Sequence, residues 1–461
     1  MLKIYNSRTR AKEALVPLHP PKIGLYACGI TVYDYCHIGH ARTNLAFDII
    51  VRYLRYRYPD HQVTYVRNIT DIDDKIIQRA AHRQMKWQDL VTEFTHEMYQ
   101  DFDALNLLRP DLEPRATETL PEIFSIIQTL LDKGVAYQPA NQDVYFDVSQ
   151  FKTYGALSGQ NLAALQAGER VEANPYKRNP LDFVLWKSAK PHEPSFGSPF
   201  GPGRPGWHIE CSAMTYQTLG IPIDIHGGGS DLLFPHHENE VAQSEAAHDC
   251  RYANIWMHTG MVQINQEKMS KSLGNFFKIR EVLEEYHPEV VRFFLLSGHY
   301  RSALNYSDEN LKQAKMALRR LYIALRDGAQ LPMPKVASAE SLARFQSLMD
   351  DDFNVPGVMA VCFELANEIQ RDKHSHPERA GAAVMALKAM GAVLGIFQND
   401  PVSYLQEGAS TELILEKIAA RNQARKDKNW ALADQIRQEL LSKHGIHLAD
   451  GSEGETDFWK A

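Results

Sequence analysis

Ile23-Gly24-Leu25-Tyr26-Ala27-Cys28-Gly29-Ile30-Thr31-Val32-Tyr33-Asp34-Tyr35-Cys36-His37-Ile38-Gly39-His40 decides how the rest of the chain is read. Ile23 to Cys28 is a short apolar run that stops at Gly29, as a buried strand would. From Ala41 to Tyr58 the apolar residues Leu45, Ile49, Val51, Tyr53 and Leu54 fall in a helical pattern. Gln62-Val63-Thr64-Tyr65-Val66 reads as a second strand, and a helix follows from about Asp73. Strand, helix, strand in this order predicts a parallel sheet with crossover helices, hence an α/β fold.

Outward from this stretch the character changes near Pro110. Asn141 to Val148 reads as a strand in an irregular region. Pro175 to Arg204 is rich in Pro, Gly and Lys and reads as loop and surface. Gly201-Pro202-Gly203-Arg204-Pro205-Gly206 matches G-x-G-x-x-G but follows no strand, and its two prolines lack the N–H groups of a phosphate cradle, so it also reads as loop. The αβ pattern resumes with a strand at Ile223-Asp224-Ile225 and a helix from Glu238 to Ala247. The last third is helical. Leu311, Ala314, Leu318, Leu321, Tyr322 and Leu325 mark one helix, with Ser307 as N-cap and Gly328 as stop. Further helices fit Pro356–Arg371, Pro377–Phe397, Thr411–Asn422 and Ala431–Lys443. Ile446 to Trp459 fits a small β element.

The chain has 461 residues, 44% hydrophobic and 23% charged, with a net charge of −7. That excludes a wholly disordered or fibrous chain and argues against coating nucleic acid through bulk positive charge. The five cysteines are odd in number and form neither C-x-x-C nor a disulfide framework, which points to a reduced, intracellular protein. The N-terminus lacks the apolar core of a signal peptide, and no apolar run reaches a membrane-spanning length. A soluble, cytoplasmic protein is expected.

Three constellations carry chemistry. His37-Ile38-Gly39-His40 opens a helix after a strand, where free N–H groups and the helix dipole favour an anion such as phosphate. His37 and His40 could donate to phosphate oxygens, and Gly39 leaves room for a flat base. Alone, His-x-x-His also fits surface or capping histidines. Lys268-Met269-Ser270-Lys271-Ser272 follows the strand-like Met261-Val262-Gln263-Ile264. Its two lysines could follow a departing pyrophosphate, although a lone K-x-x-K is usually a solvated loop. Cys28, Cys211, and the i, i+4 pair His236 and Glu240 are candidate metal ligands. Cys28 and Cys211 stand too far apart in sequence for spacing to pair them, so buried free cysteines beside a capped helix fit as well. Cys36, Cys250 and Cys362 read as ordinary thiols.

The first two motifs match His-Ile-Gly-His and Lys-Met-Ser-Lys-Ser letter for letter. Together they resemble the class I aminoacyl-tRNA synthetases, which carry both on a Rossmann-type sheet. Tyr26 to Asp34, Asn68 to Lys75, Gly206 to Met214, Asp224 to Asp231 and Pro235 to Glu240 further resemble the bacterial-type cysteinyl-tRNA synthetases. The resemblance runs over essentially the whole chain and is strongest from Tyr26 to Tyr306. It implies a Rossmann-type catalytic domain in two halves, 1–108 and 204–250, split by a connective insertion, 109–203. A stem-contact region with the lysine motif follows at 251–306, then a helical bundle at 307–400 and a small anticodon-binding module at 401–461.

It also implies roles. ATP would meet His37, Gly39, His40, Gly229, Asp231, Lys268, Ser270 and Lys271, with His37, His40, Lys268 and Lys271 catalytic. Gly29, Thr31, Thr70 and Trp207 would form the amino-acid pocket. Asp231 after Gly227-Gly228-Gly229 also fits a turn that caps the next helix. Cys28, Cys211, His236 and Glu240 would hold one Zn²⁺ per chain, a donor set that suits zinc. Zinc there would select a thiolate over a hydroxyl rather than hydrolyse anything. The substrate sulfur would enter as a fifth ligand or loosen Glu240. Mg²⁺ would accompany ATP. L-Cysteine would be activated to cysteinyl-adenylate and passed to the 3′-terminal adenosine of tRNA(Cys), with no covalent enzyme intermediate. The charged helices from Lys417 to Lys443, with Arg421, Arg425, Lys426, Lys428, Arg437 and Trp430, would contact the anticodon. A monomer is expected, with no membrane partner. Three rivals remain. A ligase joining cysteine to an amino-sugar should lack the final module. A non-catalytic tRNA-binding relative should have decayed motifs, and a zinc hydrolase would need an open metal position and a general base.

Overall fold

The structure, a computed structural model, describes residues 1–160, 174–191, 193–264, 267–268, 276–406, 412–450 and 456–460. The chain divides into two compact units. The first comprises Met1–Leu311 and Gln346–Gly357, the second Lys312–Phe345 and Val358–Ala461.

The first unit opens with an antiparallel hairpin, β1 (Lys3–Asn6) and β2 (Ala11–Ala14). β3 (Lys22–Thr31), α1 (Ile38–Arg57) and β4 (Gln62–Thr70) follow, as the periodicity predicts. α2 (Asp74–His82) begins at the Asp73 cap, and α3 (Trp87–Ala104) succeeds it. The inserted segment contributes α4 (Leu120–Asp132) and an antiparallel sheet of β5 (Ala136–Tyr137), β6 (Val144–Phe146), β7 (Phe183–Ser188) and β8 (Gly203–Pro205). The αβ order resumes with α5 (Trp207–Leu219), β9 (Ile223–Gly229), α6 (Glu238–His248) and β10 (Ala253–Thr259). β4, β3, β9 and β10 lie side by side in that order, all parallel. Strand order reverses between β3 and β9, so their carboxyl ends open the crevice in which such sheets bind ligands. Beyond β10 come β11 (Val262–Ile264), β12 (Glu267–Lys268), α7 (Ile279–Glu285), α8 (Pro288–Leu296) and β13 (Leu304–Tyr306).

Two expectations need correction. The stretch from Pro175 to Arg204 is not loop alone, because it contains β7 and β8. Leu185 and Trp186 are fully buried in the core that the inserted sheet shares with α4. Prolines flank β7 on both sides, and its short apolar run Phe183-Val184-Leu185-Trp186 has no alternation to mark it as a strand. The G-x-G-x-x-G match is likewise a strand running into a helix start. A Cβ on Gly203 would stand 2.2 Å from the Lys187 carbonyl oxygen, and one on Gly206 2.1 Å from that of Val184. These glycines admit the backbone of β7, not a phosphate.

The second unit holds most of the helical third: the body of α9 (Asp308–Asp327), part of α10 (Ala339–Met349), and most of α11 (Val355–Asp372). α12 (Pro377–Leu394), α13 (Pro401–Gln406), α14 (Glu412–Lys426), α15 (Trp430–His444) and a hairpin of β14 (Ile446–Asp450) and β15 (Thr456–Lys460) complete it. Ser307 does cap α9, accepting from the Asn310 amide at 3.1 Å. α12 stops before Phe397 because Gly395 turns left-handed at φ 64°. α10 and α13 were not expected from the sequence. The last helices and the hairpin close their own small core of Ile414, Ile418, Leu440, Ile446, Leu448 and Phe458.

α1 is fixed by a buried charge. Asp48, almost fully enclosed, pairs with Arg292 of α8, accepts from Arg52 at 3.0 Å, and accepts from the Leu108 amide at 2.8 Å. Arg292 is itself 1% exposed and also donates to the carbonyls of Leu105 and Asn106. Removing one partner of such a pair leaves a buried charge uncompensated. Asp48→Asn should therefore destabilise this unit by roughly 3–5 kcal/mol, read as a shift of the urea midpoint. Lys12→Gln, which breaks an exposed pair with Asp351, should shift it by about 0.5 kcal/mol or less.

Candidate active site and metal centre

The carboxyl end of β3 is shaped by one irregularity. Between Ala27 and Ile30 the β3–β4 register slips, so Cys28 and Gly29 together face the single residue Asn68. A bulge of this kind re-aims a side chain. Gly29 is obligatory in it: its amide donates to Asn68 Oδ1 at 2.7 Å, and a Cβ would lie 1.7 Å from the Asn68 carbonyl oxygen. Cys28 is thereby brought to α5 and α6.

There its sulfur stands 3.7 Å from Cys211 Sγ of α5 and 3.4 Å from Glu240 Oε1 of α6. His236 Nε2 is 3.0 Å from the same carboxylate oxygen. One donor atom from each of the four residues lies within 4.8 Å of every other, and all four side chains are buried. Tetrahedral zinc with Zn–S of about 2.3 Å would set two sulfurs about 3.8 Å apart, so the donor set fits a metal of that kind. Cys28, His226 and His237 form a second, overlapping trio.

The surrounding shell was not foreseen. Glu240 Oε2 is held at 2.9 Å by both His226 Nε2 and the Tyr252 hydroxyl. His208 Nδ1 meets His236 Nδ1 at 2.9 Å. His237 Nδ1 meets His258 Nε2 at 2.7 Å, and His258 Nδ1 meets the Ser7 hydroxyl at 2.8 Å, which ties the N-terminal turn into the site. His226 and His208 lie within sequence segments already singled out. Only the fold, however, places their rings beside the ligands.

Burial pushes the Cys28 thiol well up. Cys211 accepts a hydrogen bond from Cys28, which outweighs burial and brings its thiol down to about 6. Burial opposes an imidazolium at His236, but Glu240 and Cys211 raise it to about 10. Burial likewise opposes a carboxylate at Glu240, yet His226 and His236 hold it well below the carboxylate range. A metal ion binds a thiolate and a neutral imidazole, so its uptake at these four donors would displace the protons that Cys28 and His236 hold.

Trp207 begins α5, with its ring 4.2 Å from that of His236, and is 38% exposed. It also borders an open cavity of about 660 Å³ lined by Tyr145, Lys187, Arg204 and His208 among others. Thr31 and Thr70 pair across the carboxyl ends of β3 and β4. Thr70 is buried and accepts from Asn68 Nδ2 at 3.3 Å.

His37 is the N-cap of α1. Its Nδ1 accepts from the amides of Gly39 at 3.0 Å and His40 at 3.3 Å, while His40 Nδ1 accepts from the His37 amide at 3.3 Å. The two rings stack at 3.7 Å. Capping and phosphate contact are compatible here. An acceptor role at Nδ1 puts the proton of each neutral ring on Nε2, as a donor. Gly229 closes β9 with the exposed Asp231 carboxylate against it; a Cβ would lie 2.4 Å from that carboxylate and 3.8 Å from Thr43 Oγ1 of α1. Lys268 belongs to β12. Ser270 and Lys271 lie outside the described residues.

The charged helices α14 and α15 correct one expectation. Arg421 is buried and grips Asp450 with two hydrogen bonds of 2.6 and 2.7 Å. Arg425 pairs with the same carboxylate, and Lys417 and Lys443 pair with Glu439. Arg421 and Arg425 thus tie α14 to the hairpin, and Lys417 ties it to α15, whereas the Lys443 pair lies within α15. Lys426, Lys428, Arg437 and Trp430 remain exposed. No helix among the described residues is long and apolar enough to cross a membrane.

Residues 14–316 match the family model described as tRNA synthetases class I (C) catalytic domain, and residues 344–398 match the DALR domain. The cysteine--tRNA ligase of Tolumonas auensis is 54% identical over 461 residues, covering 99% of each chain. That of Yersinia enterocolitica is 55% identical over 461 residues, again covering 99% of each. Among solved structures, Mycobacterium tuberculosis methionyl-tRNA synthetase in complex with methionyl-adenylate superposes with a TM-score of 0.57 at 16% identity, covering 84% of this chain and 91% of that one. The LeuRS of Agrobacterium radiobacter K84, in a ternary complex, gives 0.58 at 11% identity, covering 84% and 87%. These two share the fold. The bulged strand β3, the His-Ile-Gly-His cap and the buried Cys, Cys, His, Glu cluster thus sit in a chain that belongs to the cysteine--tRNA ligase family of class I aminoacyl-tRNA synthetases.

Proposed function

We propose that the chain activates L-cysteine with ATP and transfers it to the 3′-terminal adenosine of tRNA(Cys), with zinc at Cys28, Cys211, His236 and Glu240 selecting the substrate. The observation that carries the reading is the convergence of two thiols, an imidazole and a carboxylate beside the carboxyl end of β3, which opens on the His37 cap. Cysteine and serine differ by one atom, and an apolar pocket separates near-isosteres only about 100-fold. Zinc held there supplies a thiophilic centre, which favours a thiolate over a hydroxyl. Around it Trp207, Gly29, Thr31 and Thr70 confine the amino acid and point its carboxylate along the carboxyl ends of the strands. His226 and Tyr252 keep Glu240 oriented, as outer-shell partners do.

The substrate carboxylate attacks the α-phosphate of ATP, and pyrophosphate leaves. His37 and His40 donate from Nε2 to phosphate oxygens as charge builds, and the amides of α1 add to that field. Gly39 and Gly229 leave room for the nucleotide, and Asp231 accepts from the ribose. Lys268, Ser270 and Lys271 accompany the pyrophosphate, with Mg²⁺ bound to ATP. No side chain bonds covalently to substrate. Positioning and charge stabilisation carry the rate. The module at 401–461 meets the anticodon through its exposed Trp430, Lys426, Lys428 and Arg437.

Purified protein with ATP, Mg²⁺ and bacterial tRNA should place an alkali-labile label on tRNA from L-cysteine and none above background from L-serine. Equal charging with serine, or none with cysteine, would refute the reading. Metal analysis should find one zinc per chain. Cys211→Ser should lower that to about a tenth or less and weaken cysteine binding by roughly 10–100-fold, read as KM in ATP–pyrophosphate exchange.

A further inference from the structure

Arg42 lies five residues after the His37 cap, on the first turns of α1. The residue is 3% exposed. Its hydrogen-bond partners are four backbone carbonyls from one short segment: Leu295, Gly298 at 3.2 Å, His299 at 2.6 Å and Ser302 at 3.5 Å. Burying a cation on carbonyls alone is costly, and a planar fork is the side chain able to collect so many acceptors at once. The carbonyls cluster in the last turn of α8 and just past it, where a helix dipole favours a cation. The arrangement therefore spends stability to hold the 295–302 segment against α1.

That segment supports the strand that leads to the lysine motif. The Gly260 amide donates to the Tyr300 carbonyl at 2.8 Å, and the Leu304 amide to the Met261 carbonyl at 2.9 Å. A Cβ on Gly260 would stand 2.2 Å from the Ser302 carbonyl oxygen, so the two backbones touch. β13 then pairs with β11, and β11 pairs with β12, which ends at Lys268. One residue along α1, the Thr43 hydroxyl meets that of Thr259 at 3.0 Å, at the end of β10. On the far side of the lysine motif, the Ile38 amide donates to the Phe277 carbonyl at 3.1 Å, and the Ile279 amide to the Cys36 carbonyl at 3.0 Å. The chain is thus docked on the start of α1 both before and after the lysine motif. Before the motif, the chain is held by Thr43 directly and by Arg42 through the 295–304 segment.

We infer that Arg42 is a positioning residue for adenylate formation, setting the distance between the His37–His40 cap and the strand that carries Lys268. The inference rests on the function proposed above. Arg42 touches no substrate in this scheme, and its effect passes through the backbone of residues 298–304 into β11 and β12. It should matter when the His37–His40 cap and Lys268 both meet the phosphates of ATP. It should matter little once pyrophosphate has gone, and it lies off the Cys28–Glu240 cluster.

The test compares wild type with Arg42→Lys and Arg42→Gln. ATP–pyrophosphate exchange measures adenylation. Single-turnover transfer from adenylate preformed on the enzyme measures the second step. Arg42→Lys should lower the exchange kcat about tenfold and Arg42→Gln about thirtyfold or more, in line with roughly 100-fold for a misplacement near 1 Å. The KM for cysteine, the zinc content and the transfer rate should stay within about threefold of wild type. Exchange within about twofold of wild type in both variants would overturn the inference, as would a loss shared equally by adenylation and transfer. If neither Arg42 variant is recovered folded, Gly260→Ala decides. It displaces the Ser302 turn from its other side and should give the same split between steps. Wild type without cysteine-dependent exchange would instead refute the function itself.

Discussion

An extra residue in one strand governs this site. β3 runs parallel to β4 with its side chains in step until Ala27, where Cys28 and Gly29 together face Asn68. The bulge exists because Gly29 has no Cβ to collide with the Asn68 carbonyl, and because the Asn68 side chain takes up the Gly29 amide. Without it the strand would continue in register, and position 28 would keep the alternation of the strand. With it, Cys28 meets a thiol from α5 and a carboxylate from α6. The chain then leaves the sheet for the turn that His37 caps. Cys28 and the His37 cap thus stand nine positions apart, joined by the end of one strand and one turn.

The buried cluster illustrates how charge is managed where water is excluded. Glu240 is fully enclosed, and a lone carboxylate there would take up a proton. Two imidazoles and a phenol instead hold it ionised. The same helix holds the insertion: the neighbouring Glu238 accepts from the amides of Gly155 and Ser158, both at 2.8 Å, and Asn239 accepts from the Tyr154 hydroxyl at 2.5 Å. Successive residues of α6 therefore serve the ion site and the docking of the inserted segment at once. A substitution at one of them bears on both.

Much of this was legible in the sequence, for local reasons. The apolar run before Gly29, the helical period after Ala41 and the Ser307 cap are written within a few turns of chain, and the strand and helices are where those patterns put them. What stayed hidden depends on distant residues. Phe183 to Ser188 lies between Pro-rich flanks, and only its burial against α4 makes it a strand. Arg421 looked like one more exposed cation until Asp450 and the hairpin closed over it. His226, His208 and Tyr252 carry no spacing signal, because each reaches the ligands from a different element. The pairing of Cys28 with Cys211 came from resemblance to a family, since nothing in the intervening residues encodes it.

That same separation orders events in time. Cys28 lies 183 residues ahead of Cys211 and 212 ahead of Glu240. At about 5–20 residues per second, a ribosome needs roughly ten to forty seconds to pass from the first ligand to the last. Throughout that interval the first strand and helix can pair and pack, because their contacts are local. The ion's full set of donors does not yet exist. Capture of an ion by all four donors would therefore be a late event, falling after residues 109–203 have been made and α6 has docked. A chain that ends between α1 and residue 240 carries the His37 cap but lacks part of the donor set that could hold the ion.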